Sequence, residues 1–387
     1  MRDSSTALPI AAPALPRKGR EARRPSFWGV IFLLILAAGA YATWIRFSKG
    51  LGASTHLSDA FPWGLWIGFD VLCGVGLAAG GFTMAATVHL FNIHKMKPVV
   101  RPAILTAFLG YLLVVGALLF DLGQPWRVWH PLVMWNPHSV MFEVGWCVTL
   151  YTTVLSLEFS PIVFERLKWA WALRIVRSVM LPLVILGVIL SFLHQSSLGS
   201  LFLIVPNKLH PLWYTPILPI LFVLSAIGVG CAMVIFESFL SHRAFGHRLQ
   251  MSILSDLGSV SLVVLIVTGV LRFLDLRGRH AFAGFNPAAT EERMFLLEVV
   301  LGLVAPVIVL AVPKWRNSER GLFLGAVLIV LGFVLNRLNV SITGMVRGLG
   351  ADYFPTWMEI AVTMSVVAVG FFLFRLAVKN LPIFGKH

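Results

Sequence analysis

Ten times along the chain an apolar run of roughly 20 residues recurs, the length that a bilayer's hydrocarbon core asks of a helix. The runs cover about 27–47, 61–91, 102–120, 138–158, 178–195, 212–237, 253–273, 294–312, 321–342 and 355–379. The second reads FPWGLWIGFDVLCGVGLAAGGFTMAATVHLF and keeps a carboxylate, Asp70, inside it. Hydrophobic residues fill 58% of the 387 positions and charged ones only 12%, about half the charge of a soluble domain. The fold class that follows is an all-α polytopic membrane protein with about ten transmembrane helices.

The net charge of +14 could suggest nucleic acid, but the Lys and Arg are scattered between the apolar runs. With the N-terminus in the cytoplasm, about two-thirds of the 31 Lys and Arg fall on segments facing inward, as the positive-inside rule requires. Both ends are therefore expected in the cytoplasm. The expected division is a disordered basic cytoplasmic tail at 1–26, a transmembrane domain at 27–379 with its core helices at about 61–342, and a short cytoplasmic tail at 380–387. The motif RRPSF loosely resembles a twin-arginine signal, and Ala40-Tyr41-Ala42 a cleavage site. The long tail and the full-length first span favour an uncleaved anchor. Trp63, Trp126, Trp129, Trp135, Trp213 and Trp357 fall near expected outer ends, where an aromatic belt belongs. Cys73, Cys147 and Cys231 lie in apolar runs without C-x-x-C spacing, so an Fe–S ligand set, a zinc site and a disulfide are not expected.

An ionisable group in a span costs roughly 2.5–3.5 kcal/mol even on the lenient insertion scale, so it faces protein or water. Asp70 lies about 13 Å below the outer end of the second run, at 1.5 Å per residue. Glu143 lies one to two turns into the fourth, and His194 lies near the outer end of the fifth, before QSSLGS. Glu298 and Glu359 open the eighth and tenth runs and read as interfacial carboxylates, while Asn336, Arg337 and Asn339 sit near the outer end of the ninth. Toward the cytoplasm stand Glu237, Asp256 and Arg101, and Tyr111 is near the midplane. Asp70, Glu143 and His194 are the groups hardest to dismiss as structural, so the outer half of helices 2–5 is the expected site.

Such groups suit a quinone, which needs an apolar pocket, hydrogen bonds at its carbonyls and proton carriers. Many transporters carry similar residues, so a secondary transporter is a rival reading. A haem held by two histidines needs both buried at matched depth on facing helices. The eleven histidines lie mostly in loops or at helix ends, so no haem is expected, and electrons for a redox reaction must come from a partner.

The stretches FPWGLWIGFD, VRPAILTAFLGY, NPHSVMFE, LEFSPIVFERL, HQSSLGSL, HPLW, VIFE and YFPTWMEI together resemble the HybB-type integral-membrane subunits of periplasmic nickel–iron hydrogenases. These belong to the NrfD/polysulfide-reductase membrane-anchor superfamily. The resemblance runs in order from about residue 50 to about 365. It implies two four-helix bundles, at helices 2–5 and 6–9, flanked by helices 1 and 10, in the bacterial inner membrane. It implies as partners a periplasmic ferredoxin-like Fe–S subunit and the small and large hydrogenase subunits, which would carry the Fe–S and Ni–Fe centres. Electrons would pass to menaquinone or ubiquinone with coupled proton transfer, in a subunit that does not itself activate hydrogen. It associates Asp70, Glu143 and His194 with quinone binding, and Glu237, Tyr111 and Arg101 with a proton path. The loop Asp121–His138 offers Trp, Arg and His as a docking surface. A passive anchor, or a quinol-oxidising anchor of another periplasmic oxidoreductase, would look similar.

Overall fold

A computed structural model describes residues 27–205 and 207–384; the basic segment expected at 1–26 and the last three residues of the expected C-terminal tail lie outside these. Ten helices among the described residues are long and apolar enough to span a membrane. They are α1 (Phe27–Lys49), α2 (Trp66–His89), α3 (His94–Asp121), α4 (Val140–Leu167), α5 (Met180–Ser200), α6 (Leu218–Phe245), α7 (Met251–Gly278), α8 (Thr290–Ala311), α9 (Glu319–Leu349) and α10 (Trp357–Asn380). Each apolar run thus becomes one helix, though several boundaries move: α3 begins already at His94, α4 runs on to Leu167 and α6 spans Leu218–Phe245. The second run enters its helix only at Trp66, because Phe61 and its neighbours form an extended lead. The ninth continues beyond 342, through a widened π turn at Asn339–Thr343, to Leu349.

Local chemistry sets the ends. Ser139 and Ser318 cap α4 and α9 by accepting from the amides of Phe142 and Gly321, which satisfies donors a helix start leaves open. Thr356 and Glu359 form a reciprocal capping box on α10. Gly246 and Gly350 close α6 and α9 at φ 75° and 63°, where a β-carbon would be strained. Among the described residues three π turns interrupt the spans, at Trp66–Val71, Val300–Val304 and Asn339–Thr343. Asp70 lies in the first, Glu298 just before the second and Asn339 in the third, so each widened turn carries or adjoins a buried polar side chain. A π turn rotates the residues that follow and so re-aims them.

Helices α2, α3, α4 and α5 pack in a ring, each against the next and α5 back against α2; α6, α7, α8 and α9 form a second ring. The rings join where α6 packs on α2 and α5 and where α9 meets α2; Gly80 and Gly230 let the backbones of α2 and α6 meet. A β-carbon on Gly230 would stand 2.8 Å from the Gly80 nitrogen. Small residues permit such approach, and packing is what holds helices together in lipid. Outside the rings, α10 lies on α3 and α2, and α1 lies on α10. Arg46 of α1, itself buried, donates from Nε to Phe120 O and from Nη2 to Leu122 O, both at 2.6 Å. It thereby closes the last carbonyls of α3. The two-bundle core with flanking first and last helices matches the expected architecture.

Candidate functional site

The first bundle carries a descending column of polar side chains. Near the face where α4 begins, Ser197 of α5 donates to the Glu143 carboxylate at 2.5 Å. One turn deeper on α5 sits His194, 0% exposed. Its Nδ1 shares a 2.9 Å hydrogen bond with the Tyr111 hydroxyl of α3. The edge of Tyr111 meets the ring of Tyr151 on α4, centroids 4.6 Å apart. Two turns further along α4 lies Glu158, also buried. Gly187 of α5 leaves the space it occupies: a β-carbon there would stand 3.0 Å from Glu158 Oε1. Along their helices, His194, Tyr111, Tyr151 and Glu158 lie about 9, 15, 17 and 27 Å from the end at this face.

These groups are buried but not saturated. His194 Nε2, the Tyr151 hydroxyl and Gln195 Oε1 have no hydrogen-bond partner among the described residues. Gln195 is held through its amide nitrogen, which donates to Val75 O at 3.3 Å. Each unsatisfied buried polar atom costs about 1–3 kcal/mol, so three together mark a place completed by water or ligand.

Not every expected residue joins this column. Tyr111, His194 and Glu143 do. Asp70 turns the other way and accepts from Thr363 of α10 at 2.8 Å. Glu237 of α6 accepts from Thr106 of α3 at 2.5 Å, with its second oxygen unpartnered. Thr106 lies about one and a half turns from Tyr111 on α3. Arg101 pairs with Glu165 of α4 at 2.9 Å and donates to Pro382 O, clamping α3, α4 and the C-terminal segment at the opposite face. Tyr151, Glu158 and Gln195 were not singled out by the sequence. A signal existed for two: Glu143, Tyr151 and Glu158 recur at eight and seven residues, one face of one helix.

The second bundle is built differently. Glu298 and Glu359, expected at the interface, are both buried. The Glu298 carboxylate pairs with Arg272 of α7 and accepts from Trp213 Nε1, Asn336 Nδ2 and Asn339 Nδ2, each at 2.8 Å. Arg337 of α9, 1% exposed, lies over the rings of Phe222 and Phe333, 3.5 and 4.4 Å from their centroids. It donates to Ser225 Oγ and Asn336 Oδ1 at 2.8 Å. Beside this cluster is a cavity of about 100 Å³ between α6, α7, α8 and α9. Another, of about 90 Å³, lies where the lead into α2, the α5–α6 connection and the end of α9 meet, lined by Phe61, Trp63, Lys208 and Ser341.

Glu359 serves the fold. It accepts from the hydroxyl of Tyr353, which in turn accepts from Leu65 N at 2.8 Å, and so joins α10 to the start of α2. Burial and the neighbouring carboxylate push the Tyr353 hydroxyl well above its usual pKa, so it stays a donor. In the α5–α6 connection, burial holds the His210 imidazole below its ordinary pKa. The loop after α3 exposes Trp126, Trp129 and Trp135.

Against known proteins, residues 53–348 match the family model described as polysulphide reductase, NrfD. A protein of Nitratidesulfovibrio vulgaris is 41% identical over 369 residues, covering 92% of this chain and 94% of its own. The "Probable Ni/Fe-hydrogenase 2 b-type cytochrome subunit" of Escherichia coli is 38% identical over 348 residues, 87% of each chain. The "Menaquinone reductase, integral membrane subunit" of Nitratidesulfovibrio vulgaris is 28% identical over 416 residues, covering 100% of this chain and 98% of its own.

Proposed function

The chain belongs to the polysulphide reductase NrfD family, and from that membership we propose that it is the quinone-reactive membrane subunit of a respiratory nickel–iron hydrogenase complex. It would sit in the bacterial inner membrane with both termini in the cytoplasm, its α1–α2, α3–α4 and α5–α6 connections facing the periplasm. An Fe–S subunit there would deliver electrons taken from hydrogen by the hydrogenase small and large subunits. Menaquinone or ubiquinone would accept two electrons and take up two protons. The exposed tryptophans after α3 suit either a partner surface or the membrane interface.

The observation that carries this reading is the buried Tyr111–His194 pair with its free Nε2. When Tyr111 donates to Nδ1, the ring's own proton is on Nε2, ready for a carbonyl oxygen. When Nδ1 donates to Tyr111, Nε2 is an acceptor instead. One imidazole thus binds a carbonyl and passes it the Nε2 proton while Tyr111 gives its own to Nδ1; Tyr111 must then be reprotonated from the groups below it, and the ring must change tautomer before a second turnover. Tyr151 and Glu158 extend the column toward the opposite face, and Glu143 with Ser197 opens it at the near face. Glu237, with a free oxygen near Thr106, and Asp70 are further proton-bearing groups at its flanks. Arg101 supports the column through its clamp on α3 and α4.

The relative's b-type cytochrome name raises haem. A haem held by two histidines requires two buried imidazoles facing one another. Among the described residues His194 is the one buried histidine, and its Nδ1 is engaged by Tyr111. The donor set does not fit a haem held by two histidines.

The test is hydrogen-driven quinone reduction by the assembled complex. His194→Gln should lower it by about 10²–10⁴-fold, the usual worth of positioned acid–base catalysis. Hydrogen oxidation with a soluble dye, which needs only the peripheral subunits, should be unchanged. Quinone reduction at the normal rate by an assembled His194→Gln complex would remove the assignment. Co-purification with a soluble oxidoreductase other than a hydrogenase would transfer the same chemistry to that partner.

A further inference from the structure

The cavity of the second bundle has the makings of a site that the column of the first does not use. About 100 Å³ lies open between the four helices. A water needs roughly 10–15 Å³ by such a measure, so several waters or one flat ring would fit. Most of the wall is apolar: Phe222, Leu265, Leu303 and Phe333 among others. Polar groups line it in two places: Arg337, Asn336, Ser225 and Glu298 with its partner Arg272, and the Asp275–Arg279 ion pair, whose charges already satisfy one another.

Those groups are unequal. Glu298 is saturated: one oxygen accepts from Arg272 and Asn336, the other from Trp213 and Asn339. Arg337 is not. Its terminal nitrogens are engaged, but Nε has no partner, and no carboxylate pairs with its guanidinium among the described residues. A buried, pre-positioned cation with a spare donor is costly alone and well suited to an acceptor oxygen. Its two flanking rings, Phe222 and Phe333, hold the guanidinium plane in place and can pack on a flat ring as well.

The wall between α7 and α8 faces lipid. Val267 and Val270 on α7, and Val300 and Val304 on α8, are exposed, while Gly269, Thr268 and Leu303 line the cavity just behind them. Leu303 packs against Gly269 at this wall, so a long apolar tail leaves between these helices by turning the Leu303 side chain aside. An anionic phosphate headgroup would have to descend: Arg337 lies about 18 Å along α9 from Leu349. A neutral carbonyl ring carries no such desolvation penalty.

We propose that the second bundle holds a binding site of its own for a neutral, ring-shaped carbonyl compound with an apolar tail, of quinone type. Arg337 Nε donates to a carbonyl oxygen, Asn336 stands beside it, and the tail exits between α7 and α8. No electron transfer is placed here; the site binds and stores. The ligand's identity rests on the function proposed above, whereas the site itself does not.

The experiment uses the whole complex in native-like membranes with a photoreactive azidoquinone, followed by mapping of the labelled peptides. Label is expected on α6 and α9 around Phe222 and Arg337. Arg337→Met removes a charge-assisted bond and should weaken that label about tenfold or more. If that variant does not fold, Leu303→Trp fills the cavity without touching the charge cluster and should abolish the same label. Both variants should leave first-bundle label and hydrogen-driven turnover intact. Label confined to α2–α5 overturns this inference and leaves the proposed function standing. Label confined to α6 and α9, with turnover insensitive to His194→Gln, keeps the site and overturns the first-bundle assignment. A phospholipid found by mass spectrometry in place of the quinone, and lost in Leu303→Trp, overturns the ligand class.

Discussion

The two bundles bury polar groups in different ways. In α2–α5 the buried groups of the column are mostly neutral-capable and underbonded: His194, Tyr151 and Gln195 each keep an atom without a partner. In α6–α9 the cluster is ionic and centred on one carboxylate that gathers four donors, while Arg337 Nε and Asn339 Oδ1 at its edge keep no partner. Position fits the contrast. The span of α2, at the seam, is 78% buried and that of α7 only 17%; both bundles meet lipid on their far sides, the first through α4 and α5 at 44% each and the second more openly through α7 and α8. An underbonded column can pass protons because each member can change partner. A saturated hub cannot, and instead fixes geometry.

The sharpest way to break this contrast is to remove one carboxylate from each bundle. Glu298→Ala strands Arg272 in the bundle, and breaking a buried pair costs about 3–5 kcal/mol. The expected result is loss of folded protein in detergent, read by thermal unfolding and by yield of complex. Glu158→Gln should do the reverse. Glu158 has no hydrogen-bond partner among the described side chains, so unfolding temperature should hardly move while hydrogen-driven quinone reduction falls. If Glu158→Gln unfolds the protein and Glu298→Ala does not, the division of roles is inverted.

A smaller effect tests whether the bundles act as one body. Gly230→Val places a side chain against the backbone of Gly80, and overpacking of this kind costs about 1–3 kcal/mol. Both bundles should loosen together, seen as a single lowered unfolding transition. Two separate transitions would show the bundles to be independent.

Much of this was visible in the sequence, for physical reasons. Span number and order follow from apolar length, which the bilayer enforces. The meeting of Tyr111 with His194 was approachable because both stand at compatible depth on helices of one bundle. The partner of Asp70 was not: Thr363 is 293 positions away, and no periodicity reports a contact at that range. The π turns were equally hidden, since one extra residue in a turn leaves an apolar run looking unbroken, yet they re-aim Asp70 and Asn339. Arg337 was noticed only as one of several polar residues near a helix end. Of its flanking rings, Phe333 stands one turn away on α9, a neighbour that helical spacing gives, whereas Phe222 comes from α6, which only packing could bring there.

The smallest expected effect concerns the connection between the bundles. Burial lowers the His210 pKa, so the folded protein favours the neutral imidazole, and the unfolded chain binds the proton more readily. Stability contributed by this loop is therefore fully present above the ordinary histidine pKa of about 6.5 and declines as pH falls toward the lowered folded value. His210 accepts at Nδ1 from Leu212 N at 3.3 Å and packs against Trp213, the residue that donates to Glu298. Mild acid should thus loosen the hub of the second bundle before it disturbs the column of the first. Hydrogen exchange of the amides near Trp213 should quicken between neutral and mildly acidic pH, and His210→Gln should flatten that change. Exchange that quickens first around Tyr111 and His194 would show that the first bundle, not the second, is the acid-sensitive half.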